Sequence, residues 1–170
     1  IPHRWVSRVQ ESMVRLTPRF SACRMVRQYF QEAYLPAARA FAARSLDNGK
    51  LAGAVLQWRD HVRTHWNQVR VGQVYYSDDQ DQRGVFAECW LGEIPPEHVR
   101  VHAYADATDL APATMIELDQ CEPLPGSVHG YMFSGVVPKQ RPASDYTIRI
   151  TAHHPQASIP IELHSILWER

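Results

Sequence analysis

The chain has 170 residues, of which 45% are hydrophobic and 10% aromatic, so it can form a packed core. Its 18 basic and 18 acidic residues cancel, which gives no electrostatic reason to expect a nucleic-acid or acidic membrane partner. No apolar stretch approaches the roughly 20 residues of a membrane helix. Three scattered cysteines favour reduced thiols, and we therefore expect a soluble cytoplasmic protein.

The first segment has apolar residues at helical spacing. We predict a helix over residues 2–16, because proline suits a first-turn position and apolar residues follow at helical steps. This apolar stripe consists of Trp5, Val9, Met13 and Leu16. Thr17-Pro18 is expected to end the helix, since proline lacks the backbone N–H that a helix interior needs.

A second helix is predicted to follow, and its start and end carry clear signals. Ser21 can cap it by accepting a hydrogen bond from a free backbone N–H. Pro36 either kinks this helix or begins a new one. The alanine-rich continuation over residues 37–46 is expected to stop at Asn48-Gly49, which is a good C-terminal signal.

A third helix, over residues 50–68, has the clearest periodicity in the chain. Its apolar face consists of Leu51, Val55, Trp58, Val62, Trp66 and Val69. Such a face must pack against an apolar surface. If Trp58 is buried, we expect its truncation to alanine to cost on the order of 3–5 kcal/mol.

After residue 69 the pattern changes to short alternating runs separated by proline, glycine and aspartate. We predict seven strands, over residues 69–77, 84–91, 99–106, 114–119, 129–137, 145–152 and 162–168. The polar run 77–84 is interpreted as a hairpin loop. Short strands with turns at near-regular spacing favour an antiparallel immunoglobulin-like β-sandwich, so the predicted fold class is α+β.

The predicted domains are a helical segment over residues 1–68 and a β-sandwich over residues 69–170. No glycine-, serine- or proline-rich spacer lies between Trp66 and Val71, so we expect docked halves rather than flexibly linked ones. The apolar stripes of the helical segment require a partner. The isolated chain should therefore expose apolar surface and self-associate.

The first 36 residues contain a specific series of motifs. These are a P-x-x-W segment, a serine and a leucine ahead of Pro-x-Phe-Ser, an Arg-Met-Val-x-x-Tyr run and a later Tyr-x-Pro. The matching residues are Pro2, Trp5, Ser12, Leu16, Pro18, Phe20, Ser21, Arg24, Met25, Val26, Tyr29, Tyr34 and Pro36. In this series the segment closely resembles the α-glucan phosphorylase family, although Gln28 replaces the glutamate found there.

Looser matches continue through the second half of the chain. The bacterial subgroup with an extra C-terminal β-domain has a Leu-Gly…Pro-x-x-Val-x-Val-x-x-Tyr strand pair, here Leu91, Gly92, Pro95, Val99, Val101 and Tyr104. The run DYTIRITAHHP resembles its penultimate strand, and Trp168 its closing one. The resemblance implies the end of an α/β glycosyltransferase lobe followed by a β-domain.

The resemblance also implies what the parent enzyme does. It would be a pyridoxal-phosphate-dependent glycosyltransferase that cleaves α-1,4-glucan ends with phosphate to give glucose 1-phosphate. In the family, a lysine in a glycine-rich segment upstream of the matched part holds the cofactor. Lys50 follows Asn48-Gly49 at a helix start, and Lys139 lies in the turn 138–142, which we expect to be exposed. We therefore predict no catalytic, cofactor-binding or metal-binding residue here.

Two other features could carry chemistry. His61 and His65 share a helix face at a spacing that can hold a metal, but no third ligand is evident, so a polar face is favoured. Aromatic residues of the second half could form a sugar-stacking platform, although burial is favoured for most of them. They are Tyr75, Tyr76, Trp90, Tyr104, Tyr131, Phe133 and Trp168.

The sequence thus predicts a piece that braces the remainder of a phosphorylase lobe and is inactive alone. The alternative is a non-enzymatic module that binds α-glucan or a partner protein.

Overall fold

The computed structural model describes residues 2–79, 82–109 and 111–169. A helical segment precedes an antiparallel β-sheet, as expected for the α+β class. The main helices are α1 (His3–Phe20), α2 (Ala22–Tyr29), α3 (Leu35–Ser45) and α4 (Lys50–His65). The strands are β1 (Arg70–Asp78), β2 (Gln82–Trp90), β3 (Val99–Ala105), β4 (Thr114–Pro123), β5 (Gly130–Pro138), β6 (Thr147–Ala152) and β7 (Ile166–Trp168). Among these described residues, no helix is long and apolar enough to cross a membrane.

The chain divides into two compact units, Ile1–Ala52 and Gly53–Arg170. The division falls inside α4, so most of this helix belongs to the second unit. The predicted domain boundary between residues 68 and 69 was drawn from the change in sequence periodicity, and it stays a prediction.

In the first unit, α1 extends to Phe20 and contains Pro18, so the prediction that Thr17-Pro18 ends the helix is wrong. Proline removes one backbone hydrogen bond, but its ring holds φ close to the helical value. The last turn can therefore continue around it. The helix ends where Ser21 adopts an extended conformation, with ψ at 143°.

The signals predicted for the second helix are confirmed. The Ser21 side chain accepts a hydrogen bond from the backbone N–H of Arg24 at 3.3 Å. A π-helical turn (Phe30–Tyr34) follows α2, and Pro36 lies in the first turn of α3, so it begins a new element. The helix α3 ends at Ser45, where Leu46 adopts an extended conformation with ψ at 155°. The predicted stop signal follows in a short 3₁₀ turn, where φ is positive at Asn48 (54°) and Gly49 (78°).

Large apolar side chains are exposed throughout the first unit. None of the described residues of α1, α2 and α3 is buried. The predicted stripe of α1 is solvent-accessible along its whole length, from Trp5 (64% exposed) to Leu16 (49%). Exposure of large apolar side chains on this scale is unusual for the surface of a monomeric protein.

In the second unit, α4 buries the face predicted from its periodicity. Val55, Trp58 and Val62 are 4%, 5% and 0% exposed. A short 3₁₀ turn (Trp66–Gln68) follows α4 and leads to Val69, which is also buried. The third predicted helix is therefore confirmed, and its apolar face contributes to the core of this unit.

The strands form one seven-stranded sheet in the order β1-β2-β5-β4-β3-β6-β7, with every pair antiparallel. All seven predicted strands are present, but two have other bounds: the last begins at Ile166 rather than at residue 162, and β4 extends to Pro123 rather than to residue 119. The first half of β4 pairs with β3 and its second half pairs with β5, so the sheet curls at this strand. The hairpin predicted over residues 77–84 closes between Asp79 and Gln82, and its residues 80 and 81 lie outside the described residues.

The sheet has an apolar inner face and an outer face of mixed character, on which Phe86, Met115 and Trp168 are exposed. Buried residues alternate along β6, and along β3 except at His102, which is also buried; Val101, Ala103, Ile148 and Ile150 are each 0% exposed. The side chains between them lie on the opposite face, as strand geometry requires. The predicted immunoglobulin-like sandwich is not confirmed, because the strands form one continuous curled sheet.

Candidate functional site

The lysines that the sequence singled out as cofactor candidates are both solvent-exposed. Lys50 begins α4. Lys139 lies between β5 and β6, and its Nζ donates a hydrogen bond to the Asp79 backbone oxygen at 3.2 Å. Burial beside a phosphate-binding cradle is what a Schiff-base lysine requires. Neither lysine lies in such an environment. The absence of catalytic and cofactor-binding residues stays a prediction.

The histidine pair on α4 is held by backbone contacts. The rings of His61 and His65 lie 4.5 Å apart, so the two residues share a face as predicted. His61 Nε2 is 2.9 Å from the Glu93 carbonyl oxygen, and His65 Nδ1 is 2.8 Å from the His61 carbonyl oxygen. No cluster of three potential metal ligands occurs within residues 2–79, 82–109 and 111–169.

A second group of rings packs α4 against the sheet. The Trp58 ring lies 5.0 Å from that of His154 and 6.3 Å from that of His98. Burial lowers the pKa of His98, because a charged imidazole would lose its hydration there. Trp58 Nε1 and His98 Nδ1 are buried without a hydrogen-bond partner in the described part of the chain. Their surroundings are those of a packed interior, and we assign this cluster to stability.

A groove on the outer face of β3, β6 and β7 brings two of the predicted platform residues together. In the sheet register, Tyr104 lies opposite Thr147, and Arg149 lies opposite Trp168. The Tyr104 and Trp168 rings are 5.3 Å apart at an angle of 71°. The Arg149 guanidinium carbon is 5.7 Å from the centre of the tyrosine ring and 5.4 Å from that of the tryptophan ring.

Two carboxylates complete the groove, which encloses about 360 Å³. Asp106 follows β3, and its Oδ1 accepts a hydrogen bond from the Tyr104 hydroxyl at 3.0 Å. This hydrogen bond raises the pKa of Tyr104, since it stabilises the protonated hydroxyl beside an anion. Asp145 lies in the turn before β6 and is exposed. The groove therefore offers aromatic faces, carboxylate acceptors and one guanidinium.

Arg141 fixes the loop that carries Asp106. It is 8% exposed, although the sequence places it in a turn expected to be exposed, so that expectation is wrong for this residue. Its guanidinium donates to the backbone oxygens of Asp106 (2.7 Å) and Ala111 (3.1 Å) and also to that of Pro112. An arginine preceding a proline in a loop carries no periodicity, so no sequence signal identifies this role.

The other predicted platform residues are dispersed. Phe133 is buried in the sheet core, and Tyr75 is exposed on β1. Trp90 donates from Nε1 to the Ser127 hydroxyl at 2.8 Å and stacks under Arg70. Burial accounts for Phe133, as favoured from the sequence, and contacts with neighbours account for Trp90, whereas Tyr75 is exposed, so burial is not confirmed for it. Of this aromatic set, Tyr104 and Trp168 line the groove in the part of the chain that the structure describes.

A family model described as "Glycogen phosphorylase C-terminal domain" matches residues 66–170. The chain belongs to this family. The glycogen phosphorylase C-terminal domain thus covers the sheet and the groove, while the motifs of residues 2–36 precede it. Some of its motif residues have structural roles: Leu91 is 0% exposed, and Gly92 has a φ of +57°.

Curated relatives extend the similarity over nearly the whole chain. The maltodextrin phosphorylase of Thermococcus litoralis is 26% identical over 98% of this chain. The glycogen phosphorylases of Mycobacterium tuberculosis and Mycobacterium bovis are each 24% identical over 96% of it. The chain spans about 20% of the length of these relatives, so it is similar to one part of a much longer enzyme.

Proposed function

We propose that the chain is the C-terminal portion of an α-glucan phosphorylase and is inactive by itself. The parent enzyme would cleave α-1,4-glucan with phosphate to release glucose 1-phosphate. The observation that carries this proposal is the family match at residues 66–170, extended by relatives of which the chain spans only 20%. Pyridoxal phosphate and the catalytic residues would then belong to the remaining four-fifths of the parent.

The proposed role of the first unit is to brace that remainder. Its support is the exposed apolar stripe of α1, where Trp5 and Met13 are 64% and 62% exposed. Burying one large apolar side chain contributes about 1.5–3 kcal/mol, so a stripe of four could hold two parts of a protein together. The partner that fits is the upstream lobe of the same enzyme.

A binding experiment with matched variants tests this role. We expect the chain to bind the separately expressed upstream lobe in analytical ultracentrifugation. Met13→Asp places a charge within the stripe and should abolish the complex. Val14→Asp is the control, because Val14 is 74% exposed and lies about 100° further around the helix. Equal binding by the two variants would argue against packing through the stripe.

A cytoplasmic location is also proposed for the parent. Cys23, Cys89 and Cys121 are all free thiols, which is the form expected in a reducing compartment. Cell fractionation with an antibody against the chain tests the proposal, and recovery outside the cytoplasm would contradict it.

For the second unit, we propose that the curled sheet folds over on itself to form an immunoglobulin-like sandwich with two facing halves. Support comes from the division of β4 between two neighbours, which lets the strands on either side of it turn toward each other. Buried residues on both sides, such as Val85 and Ile148, would then share one core. Nuclear Overhauser contacts between the methyl groups of these two residues test this arrangement, and their absence would refute it.

A further inference from the structure

We propose that the groove on β3, β6 and β7 is a non-catalytic binding site for a neutral oligosaccharide. A linear α-1,4-glucan is the chain we assign to it, and that choice of sugar rests on the proposed function. The lining residues are Tyr104, Asp106, Asp145, Thr147, Arg149 and Trp168.

The aromatic rings supply the apolar part of such a site. Trp168 is 42% exposed, so part of its ring surface is open to a ligand. Aromatic faces carry negative charge density, which attracts the positively polarised C–H bonds on one side of a pyranose ring. Because Tyr104 stands at 71° to the indole, the two rings form an angled wall rather than a flat platform. An angled wall suits a curved sugar chain.

The polar residues supply hydrogen bonds of both kinds. The Asp106 and Asp145 carboxylates are exposed acceptors, Arg149 is a donor, and the Thr147 hydroxyl can do either. Hydrogen bonds to charged groups are stronger than those between neutral groups. They therefore offset the free-energy cost of removing water from a sugar hydroxyl. Vicinal hydroxyls of a sugar match this mixture of acceptors and donors.

The net charge of the groove favours a neutral sugar over anionic ligands. Two carboxylates and one guanidinium leave the lining with a net negative charge at neutral pH. A phosphate ester or a nucleic acid would be repelled there, since both require a positively charged surface. A neutral polyol is not repelled by this charge.

Hydrogen bonds hold the backbone on two sides of the groove. Buried Arg141 holds the backbone oxygen of Asp106 at 2.7 Å. Glu169, next to Trp168, accepts a hydrogen bond from the Ile148 N–H at 2.9 Å and donates its own N–H to the Ile148 oxygen at 2.8 Å. These contacts hold β7 beside β6. A backbone that is already held in place costs less conformational entropy to order on binding.

Titration calorimetry of the full chain with maltoheptaose tests the proposal. We expect binding that Trp168→Ala weakens by at least about tenfold, as for a central aromatic anchor. Asp145→Asn should weaken it by about threefold or more, because a charge-assisted acceptor becomes a neutral one. Tyr75→Ala is the matched control: this exposed tyrosine lies on β1, outside the groove, and its loss should change affinity less than about twofold.

Three results would overturn the proposal. They are no binding of maltoheptaose up to about 10 mM, equal affinity of the Asp145→Asn variant and the wild type, and preferential binding of cellohexaose or inorganic phosphate. Asp145 is exposed in a turn, so its substitution reports on binding even if Trp168→Ala disturbs β7. Assembly with the upstream lobe is measured separately through the α1 stripe, so failure of the groove leaves the proposed function standing.

Discussion

Replacing Trp58 with alanine should remove a large part of the stability of the second unit. The side chain is 5% exposed and its ring contacts those of His98 and His154. Truncating a buried tryptophan costs about 3–5 kcal/mol, through lost transfer energy and the cavity left behind. Its N–H has no partner within the described ranges, so the ring, not a hydrogen bond, carries this energy.

A conservative substitution separates the two contributions. Trp58→Phe keeps an aromatic ring and removes the buried N–H, whose desolvation opposes folding. We expect it to cost only about 1–2 kcal/mol, because the smaller ring packs less well while one unsatisfied polar group disappears.

Urea unfolding followed by the β-sheet signal in circular dichroism measures these costs by linear extrapolation. Trp5→Ala is the matched control, since that tryptophan is 64% exposed on α1 and its loss should change stability by less than about 0.5 kcal/mol. The reasoning is refuted if Trp58→Ala costs less than about 1 kcal/mol, or if Trp58→Phe costs as much as the alanine variant.

Three further predictions concern the second unit. Gly92→Ala should cost at least about 1 kcal/mol in urea unfolding, because φ is +57° there and a Cβ would collide with the Gln68 side chain; an unchanged midpoint would contradict this. Burial lowers the pKa of His98 and His153 below 6.5, so on acidification the unfolded chain binds protons at a higher pH than the folded chain does. The contribution of these histidines to the free energy of unfolding should therefore be fully present above pH 6.5 and decrease as the pH drops through that value toward the folded-state pKa. An increase in the free energy of unfolding over this range would contradict the burial of the two histidines. Burial raises the pKa of Cys89 to about 12, so a thiol reagent at pH 8 should modify only the two exposed cysteines until denaturant is added, and modification of all three in the native state would refute this.

Most of the fold follows from sequence periodicity, because each element depends on its own residues. Alternation along β3 and β6 is enough to identify both strands and their buried faces. The third helix is equally clear, since its apolar spacing matches one helical face. Pro18 shows the limit of such reasoning: proline disfavours a helix interior, yet a last turn can tolerate the loss of one hydrogen bond.

The groove could not be predicted as a site, because it depends on pairing between distant strands. Tyr104 and Trp168 are 64 residues apart in the sequence and meet only because β6 pairs with both of their strands. Aromatic residues elsewhere in the sheet have similar local patterns but become buried or paired. The same applies to Arg141, whose burial depends on carbonyl groups of the loop after β3.

The most direct test of the account is phosphorolysis measured for the chain, for the separately expressed upstream lobe and for their mixture. The account predicts glucose 1-phosphate release from maltoheptaose by the mixture, little or none by either part alone, and loss of the mixture's activity with Met13→Asp. Activity of the chain alone, or a mixture no more active than its parts, would contradict the claim that this chain completes a phosphorylase.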